Sequence, residues 1–348
     1  MDRILRVVVV DDSAYVRKVV REILSRSPFV EVVGTARDGR EALDVVAQLD
    51  PDVVTCDLIM PELDGVGFVR EQMRRRPVPI IIMSIANETA EAALTALDAG
   101  AIDFVQKPTA LASEKIFEVS AELLEKVKAA GQISLKRIST PPPPLVASSE
   151  PGTKITGSHS VDLVAIGIST GGPQALKRLI PQFPADFPVP ILMVMHMPVG
   201  YTEMYAAKLN EIAQLEVSEA KEGDEIRPGR ALLAAAGRHL SVKRDATGKV
   251  VAHLDAKPFN TLHKPSVDVL FQSVAEVYGN RVLGVVMTGM GSDGKEGSAW
   301  IKSQGGLVFT EAESSCVVYG MPCTVVEAGL SDKSIPLEEM ARAIREVV

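Results

Sequence analysis

Apolar and polar positions along the chain fall into two alternating series. Over residues 1–130, short unbroken apolar runs alternate with segments in which apolar residues recur at helical spacing. The runs at Ile4–Val10, Glu31–Ala36, Asp52–Asp57, Pro79–Ser84 and Ile102–Val105 predict strands. The periodic segments at Ala14–Arg26, Arg40–Gln48, Gly67–Arg75, Thr89–Ala99 and Ser113–Ala129 predict helices. Strands apolar on both faces belong in a parallel sheet covered on both sides. Five such repeats predict a (βα)5 unit with right-handed crossovers, whose ligands bind beyond the carboxyl ends of the strands.

The pattern breaks over residues 131–158, which hold the unbroken proline run Pro141–Pro144 among Ser, Thr and Gly. This composition cannot pack a core and predicts a semi-stiff linker; a proline-rich ligand for another domain is the lesser reading. From residue 159 a second α/β series begins. Strands are predicted at Asp162–Ile168, Val189–Met195 and Arg281–Thr288, and helices at Pro173–Leu179, Tyr201–Ile212 and Val267–Tyr278, with a helix, a strand and a helix to finish. Residues 215–256 read as short strands with turns, most simply β-hairpins. The expected architecture is an N-terminal (βα)5 domain over 1–130, a linker, and a mostly parallel α/β domain over 159–348 with a hairpin region.

Composition narrows the choice of function. With 46% apolar residues the chain can bury two cores. The net charge of -8 is shared evenly between the two halves, so no basic block favours nucleic acid. Three cysteines without a regular framework read as reduced thiols. No apolar run approaches the ~20 residues of a membrane span. The expectation is a soluble cytoplasmic protein without membrane insertion.

Acidic residues gather at the strand ends of the first domain. Asp11 and Asp12 follow the first strand and Asp57 ends the third. In a parallel sheet these ends lie side by side, and three converging carboxylates repel unless a cation joins them. Such a ligand set suits Mg²⁺. Ser84 ends the fourth strand, and Lys107 follows the fifth and precedes Pro108. This order resembles a response-regulator receiver domain of flavodoxin-like fold over residues 5–128. The resemblance implies that Asp57 accepts a phosphoryl group from a histidine kinase. It further implies that Asp11, Asp12, Asp57 and the carbonyl of Ile59 hold Mg²⁺, that Lys107 and Ser84 bind the phosphoryl oxygens, and that Phe104 is the aromatic switch.

The second domain offers a nucleophile. Gly167-Ile168-Ser169-Thr170-Gly171-Gly172 spans a strand-to-helix junction, where small residues permit a tight turn and free helix amides can serve an oxyanion. A glycine-rich phosphate loop is the competing reading. A serine needs a base. His196 ends an apolar strand at the same sheet edge and is favoured; His263 is the runner-up, ahead of His239 and His253, and His159 falls in the linker region. Asp293, in Thr288-Gly289-Met290-Gly291-Ser292-Asp293-Gly294, is the candidate orienting acid, with a helix N-cap as its alternative role. The order Ser, His, Asp departs from that of α/β-hydrolases.

Taken with His196-Met197-Pro198, His263-Lys264-Pro265-Ser266-Val267-Asp268 and Tyr319-Gly320-Met321-Pro322, these motifs resemble the CheB family of chemotaxis protein-glutamate methylesterases, over residues 160–348. The resemblance implies a mainly parallel, Rossmann-like sheet, with Ser169 as nucleophile, His196 as base and Asp293 as orienter. It implies glutamyl methyl esters on the cytoplasmic helices of chemoreceptors as substrate, methanol as product, deamidation of certain receptor glutamines, and no cofactor for the esterase. Amides near Thr170 and Met290 are candidate oxyanion donors. Two domains on a linker suggest that the receiver covers the Ser169 cleft until Asp57 is phosphorylated. A DNA-binding response regulator and a catalytically inactive binding module are the rival readings.

Overall fold

The computed structural model describes residues 3–85, 90–107, 114–133, 161–258 and 260–348. Pro108, His159 and most of the linker fall outside these. The chain divides into two compact units, the described residues 3–133 in one and 161–348 in the other.

In the first unit, β1 (Leu5–Val10), β2 (Val30–Ala36), β3 (Val53–Asp57), β4 (Ile80–Ser84) and β5 (Asp103–Gln106) form a parallel sheet in the order β2-β1-β3-β4-β5. Helices α1 (Ala14–Leu24), α2 (Gly39–Leu49), α3 (Gly65–Arg75), α4 (Ala90–Asp98) and α5 (Glu114–Ala130) connect and follow the strands. The bodies of β3 and β4 are buried throughout, which explains their unbroken apolar runs. Ser13, Asp38 and Asp64 cap α1, α2 and α3 through side-chain oxygens, each such cap contributing about 1 kcal/mol. Lys126 of α5 is buried against β5, with Nζ 3.1 Å from Asp103, 3.0 Å from Glu122 and 2.6 Å from the carbonyl of Phe104.

The second unit centres on seven parallel strands in the order β14-β13-β12-β6-β7-β9-β8. These are β6 (Leu163–Ile168), β7 (Ile191–Met195), β8 (Glu216–Glu219), β9 (Arg230–Leu233), β12 (Val282–Val286), β13 (Leu307–Glu311) and β14 (Lys333–Ile335). The helices are α6 (Gly172–Leu179), α7 (Thr202–Ile212), α8 (Val267–Tyr278), α9 (Lys295–Ser303), α10 (Met321–Glu327) and α11 (Leu337–Arg345). The hairpin reading holds for β10 (His239–Arg244) and β11 (Val250–Asp255), which pair antiparallel across a polar turn. It fails for β8 and β9. Their buried Val217, Ala231, Leu232 and Leu233 extend the main sheet in parallel with β7. A further strand, β14, lies at the carboxyl end where the pattern predicts none; two of its three residues are exposed, so it carries no apolar run.

The strand order places β6 between β12 and β7. The chain leaves β6 for β7 on one side and returns on the other through β12, so a topological switch point lies at the carboxyl end of β6.

Candidate functional site

Register builds the site at that switch point. Ile168 is level with Met195, and the amide of His196 donates to the carbonyl of Ile168 at 3.2 Å, which sets His196 beside Ser169. On the other side Val286 pairs with Gly167, and the amide of Ser169 donates to the carbonyl of Thr288 at 2.9 Å. Three neighbouring strands thus deliver Ser169, His196 and the Thr288–Gly294 loop to one edge.

Close packing around Ser169 explains the glycines. Gly171 has φ +82°, and a Cβ there would lie 2.6 Å from that of Val317. A Cβ on Gly289 would lie 2.7 Å from Cβ of Ser169, so the backbone leading to Met290 lies directly against the serine. The buried Thr288 ties the loops together. Its hydroxyl lies 3.0 Å from the carbonyl of Thr170 and 3.3 Å from that of Val318, and it accepts the Val318 amide at 3.0 Å. Behind it, the Thr288 amide donates at 2.9 Å to Glu311, whose burial raises its carboxyl pKa. Neither Thr288 nor Glu311 was singled out as a functional residue from sequence. Their signal, polar residues ending apolar strands, was present.

His196 and Asp293 meet. Nε2 of His196 lies 2.8 Å from Oδ2 of Asp293, both side chains being largely buried. An ionised carboxylate only accepts, so Nε2 carries the proton and Nδ1 the lone pair. Nδ1 is buried and finds no hydrogen-bond partner among the described residues. The Ser169 hydroxyl is therefore not bonded to Nδ1; catalytic hydrogen bonds of this kind tighten when substrate is bound. Asp293 also accepts from the Ser266 hydroxyl (2.8 Å) and from the amides of Val267 (2.8 Å) and Asp268 (3.0 Å). Burial opposes its ionisation, but His196, through hydrogen bond and charge, and these amides outweigh that. Its carboxyl stays well below the ordinary carboxylate range.

The remaining histidines separate cleanly. His263 stacks on the ring of His196, with centroids 4.0 Å apart and 21° between planes. His239 is buried, accepting the Ser266 amide at 3.2 Å, with Nε2 3.1 Å from the Pro258 carbonyl and 3.1 Å from the Thr261 hydroxyl. His253 is on the hairpin with Glu222 and Lys243.

In the first unit, carboxylate oxygens of Asp11, Asp12 and Asp57 lie within 4.8 Å of one another. Nζ of Lys107 donates to Oδ2 of Asp57 at 2.8 Å and forms an ion pair with Oδ2 of Asp11 at 2.9 Å. No local sequence pattern signals this bridge to Asp11, which joins residues far apart in the chain. Burial, reinforced by Asp57, outweighs Lys107 and pushes the Asp11 carboxyl up; burial also opposes the Lys107 charge, but the two carboxylates override it and raise its pKa. An all-oxygen set of this charge fits a hard divalent cation. Ser84 and Phe104 are buried on the neighbouring strands, and Ile59 is exposed in the loop after Asp57. No helix among the described residues is long and apolar enough to cross a membrane.

Comparison with known proteins follows the same division. Residues 164–344 match the CheB methylesterase family and residues 7–118 match the response regulator receiver domain. A Myxococcus xanthus protein named protein-glutamate methylesterase/protein-glutamine glutaminase 5 is 49% identical, over 99% of this chain and 98% of its own. A Symbiobacterium thermophilum protein with the same activities in its name is 44% identical over 100% and 98%. The crystal structure of the Thermotoga maritima CheB methylesterase catalytic domain, 39% identical, covers 54% of this chain and all of its own at a TM-score of 0.53. With its receiver domain and its parallel α/β catalytic domain, the chain belongs to the CheB methylesterase family.

Proposed function

We propose that the chain is a protein-glutamate methylesterase and protein-glutamine glutaminase regulated by phosphorylation of Asp57. The observation that carries the reading is the His196–Asp293 hydrogen bond, which leaves the Nδ1 lone pair turned away from the acid at the sheet edge that also carries Ser169. In the reacting complex the Ser169 hydroxyl donates to Nδ1. Nδ1 takes the hydroxyl proton as Oγ attacks the ester carbonyl, and Asp293 stabilises the resulting imidazolium. The oxyanion draws on amides near Thr170 and Met290. The protonated imidazole returns its proton to the departing methoxide, releasing methanol. Water then cleaves the acyl-serine by the same route and leaves glutamate. A glutamine amide follows the same steps with ammonia as leaving group. The substrate is a chemoreceptor's cytoplasmic helices, and the protein works in the cytoplasm.

The receiver occupies residues 1–130, the linker 131–158 and the esterase 159–348. Asp57 takes its phosphoryl group from a histidine kinase. Asp11, Asp12, Asp57 and the Ile59 carbonyl would hold Mg²⁺, which offsets the charge of the transferring phosphoryl group when bound. Lys107 and Ser84 bind the phosphoryl oxygens, and Phe104 relays the change. The test is methanol release from a methylated receptor fragment with and without a small phosphodonor. The wild type is expected to accelerate and Asp57→Ala to ignore the donor. Equal stimulation of both would refute this regulation.

A further inference from the structure

The His263–Asp268 motif is only partly absorbed by this mechanism. A helix start is ordinarily capped by the residue just before it. Here α9 begins after Gly294, which has no side chain to offer, and Ser266 before α8 turns its hydroxyl to Asp293 instead. Each helix takes its cap from the other. Asp293, which precedes α9, accepts the Val267 and Asp268 amides that open α8. Asp268, in the first turn of α8, accepts through Oδ1 the amides of Gly294 at 2.9 Å and Gly297 at 2.7 Å. The two helix starts are pressed together without room for a Cβ. One on Gly297 would lie 2.9 Å from Cα of Asp268 and 2.6 Å from Cβ of Phe271. Gly294, with φ +99°, would bring one to 3.0 Å from the Val267 side chain.

We propose that Asp268 is a positioning residue for the hydrolysis: by capping the helix that follows Asp293 it fixes that carboxylate against His196. The mutual capping makes the location of Asp293 depend on both acids.

The proposal rests on the esterase reading only for its kinetic arm. In the full-length protein, methanol release from a methylated receptor fragment is compared in wild type, Asp268→Asn and Asp268→Ala, alongside hydrogen exchange of the Gly294 and Gly297 amides read by NMR. Asparagine keeps an oxygen for those two amides. Asp268→Asn is expected to keep kcat within about threefold and both amides protected. Asp268→Ala is expected to expose both amides to exchange and to lower kcat about tenfold or more, with KM within about twofold. Wild-type kcat in Asp268→Ala, or an Asp268→Asn as slow as Asp268→Ala, overturns the proposal. Should Asp268→Ala fail to fold, Asp268→Ser is the second variant: its shorter side chain withdraws the acceptor, and wild-type kcat there overturns the proposal. Hydrogen exchange reads the cap whatever the substrate is, so a wild type that releases no methanol refutes the functional reading, while unchanged exchange at Gly294 and Gly297 in Asp268→Ala refutes the cap.

Discussion

Asp293→Asn probes the site where fold and chemistry share one side chain. Oδ2 faces His196 Nε2 and the Val267 amide, and Oδ1 faces the Ser266 hydroxyl and the Asp268 amide. An asparagine supplies one oxygen and one NH₂. If the NH₂ takes the Oδ1 position, Ser266 can turn to accept from it but the Asp268 amide is left without an acceptor. If it takes the Oδ2 position, the Val267 amide is stranded, and His196 satisfies the NH₂ only by moving its own proton to Nδ1, the nitrogen proposed as base. Either way one buried N–H loses its partner, at about 1–3 kcal/mol, which lowers the melting temperature of a unit this size by roughly 3–10 °C. The rate suffers more. Where an orienting aspartate of a serine triad is exchanged for asparagine, kcat falls about 10⁴-fold, and a loss of about 10³ to 10⁴ is expected here. The assay is single-turnover methanol release on protein shown by circular dichroism to be folded. A folded variant within about tenfold of wild type would refute the assignment of Asp293 as orienter.

Three further outcomes follow from the same geometry. Lys107→Ala removes the cation lodged between Asp11 and Asp57, so calorimetric titration should show Mg²⁺ binding about threefold or more tighter, while phosphodonor stimulation of the esterase is lost; weaker Mg²⁺ binding would contradict this. Thr288→Val keeps the shape but leaves the Val318 amide without its acceptor and the Thr170 carbonyl without that donor, and should lower unfolding free energy by about 1–3 kcal/mol and slow catalysis. Asp268, with its pKa pushed up to about 6 against about 3.9 in the unfolded chain, binds its proton more tightly in the folded state. Its contribution to stability is fully present below about pH 4 and declines as pH rises through about 6. Urea midpoints across that window should show this component in wild type and lose it in Asp268→Asn; identical slopes would contradict the assignment.

Much of this was legible along the chain because strand ends announce themselves: Asp57, Ser84, His196 and Thr288 stand where apolar runs stop, and a parallel sheet brings such ends together. The N-cap alternative for Asp293 is half right: it does cap a helix, but α8 rather than the α9 that follows it. That distinction lies in the contact between residues 268 and 293, which no local pattern encodes. The parallel pairing of β8 and β9 was hidden for a similar reason. Short half-buried strands look alike whether their partner is the next segment or the edge of a sheet built earlier. The Lys107–Asp11 bridge and the Thr288–Val318 contacts likewise join residues far apart in sequence.

The central claim is that Ser169, served by His196 and Asp293, cleaves glutamyl methyl esters. Methanol release from a methylated chemoreceptor fragment by full-length wild type and by Ser169→Ala tests it most directly. The account predicts turnover by the wild type and a loss of several decades in a fully folded Ser169→Ala; release at a comparable rate by both would contradict it.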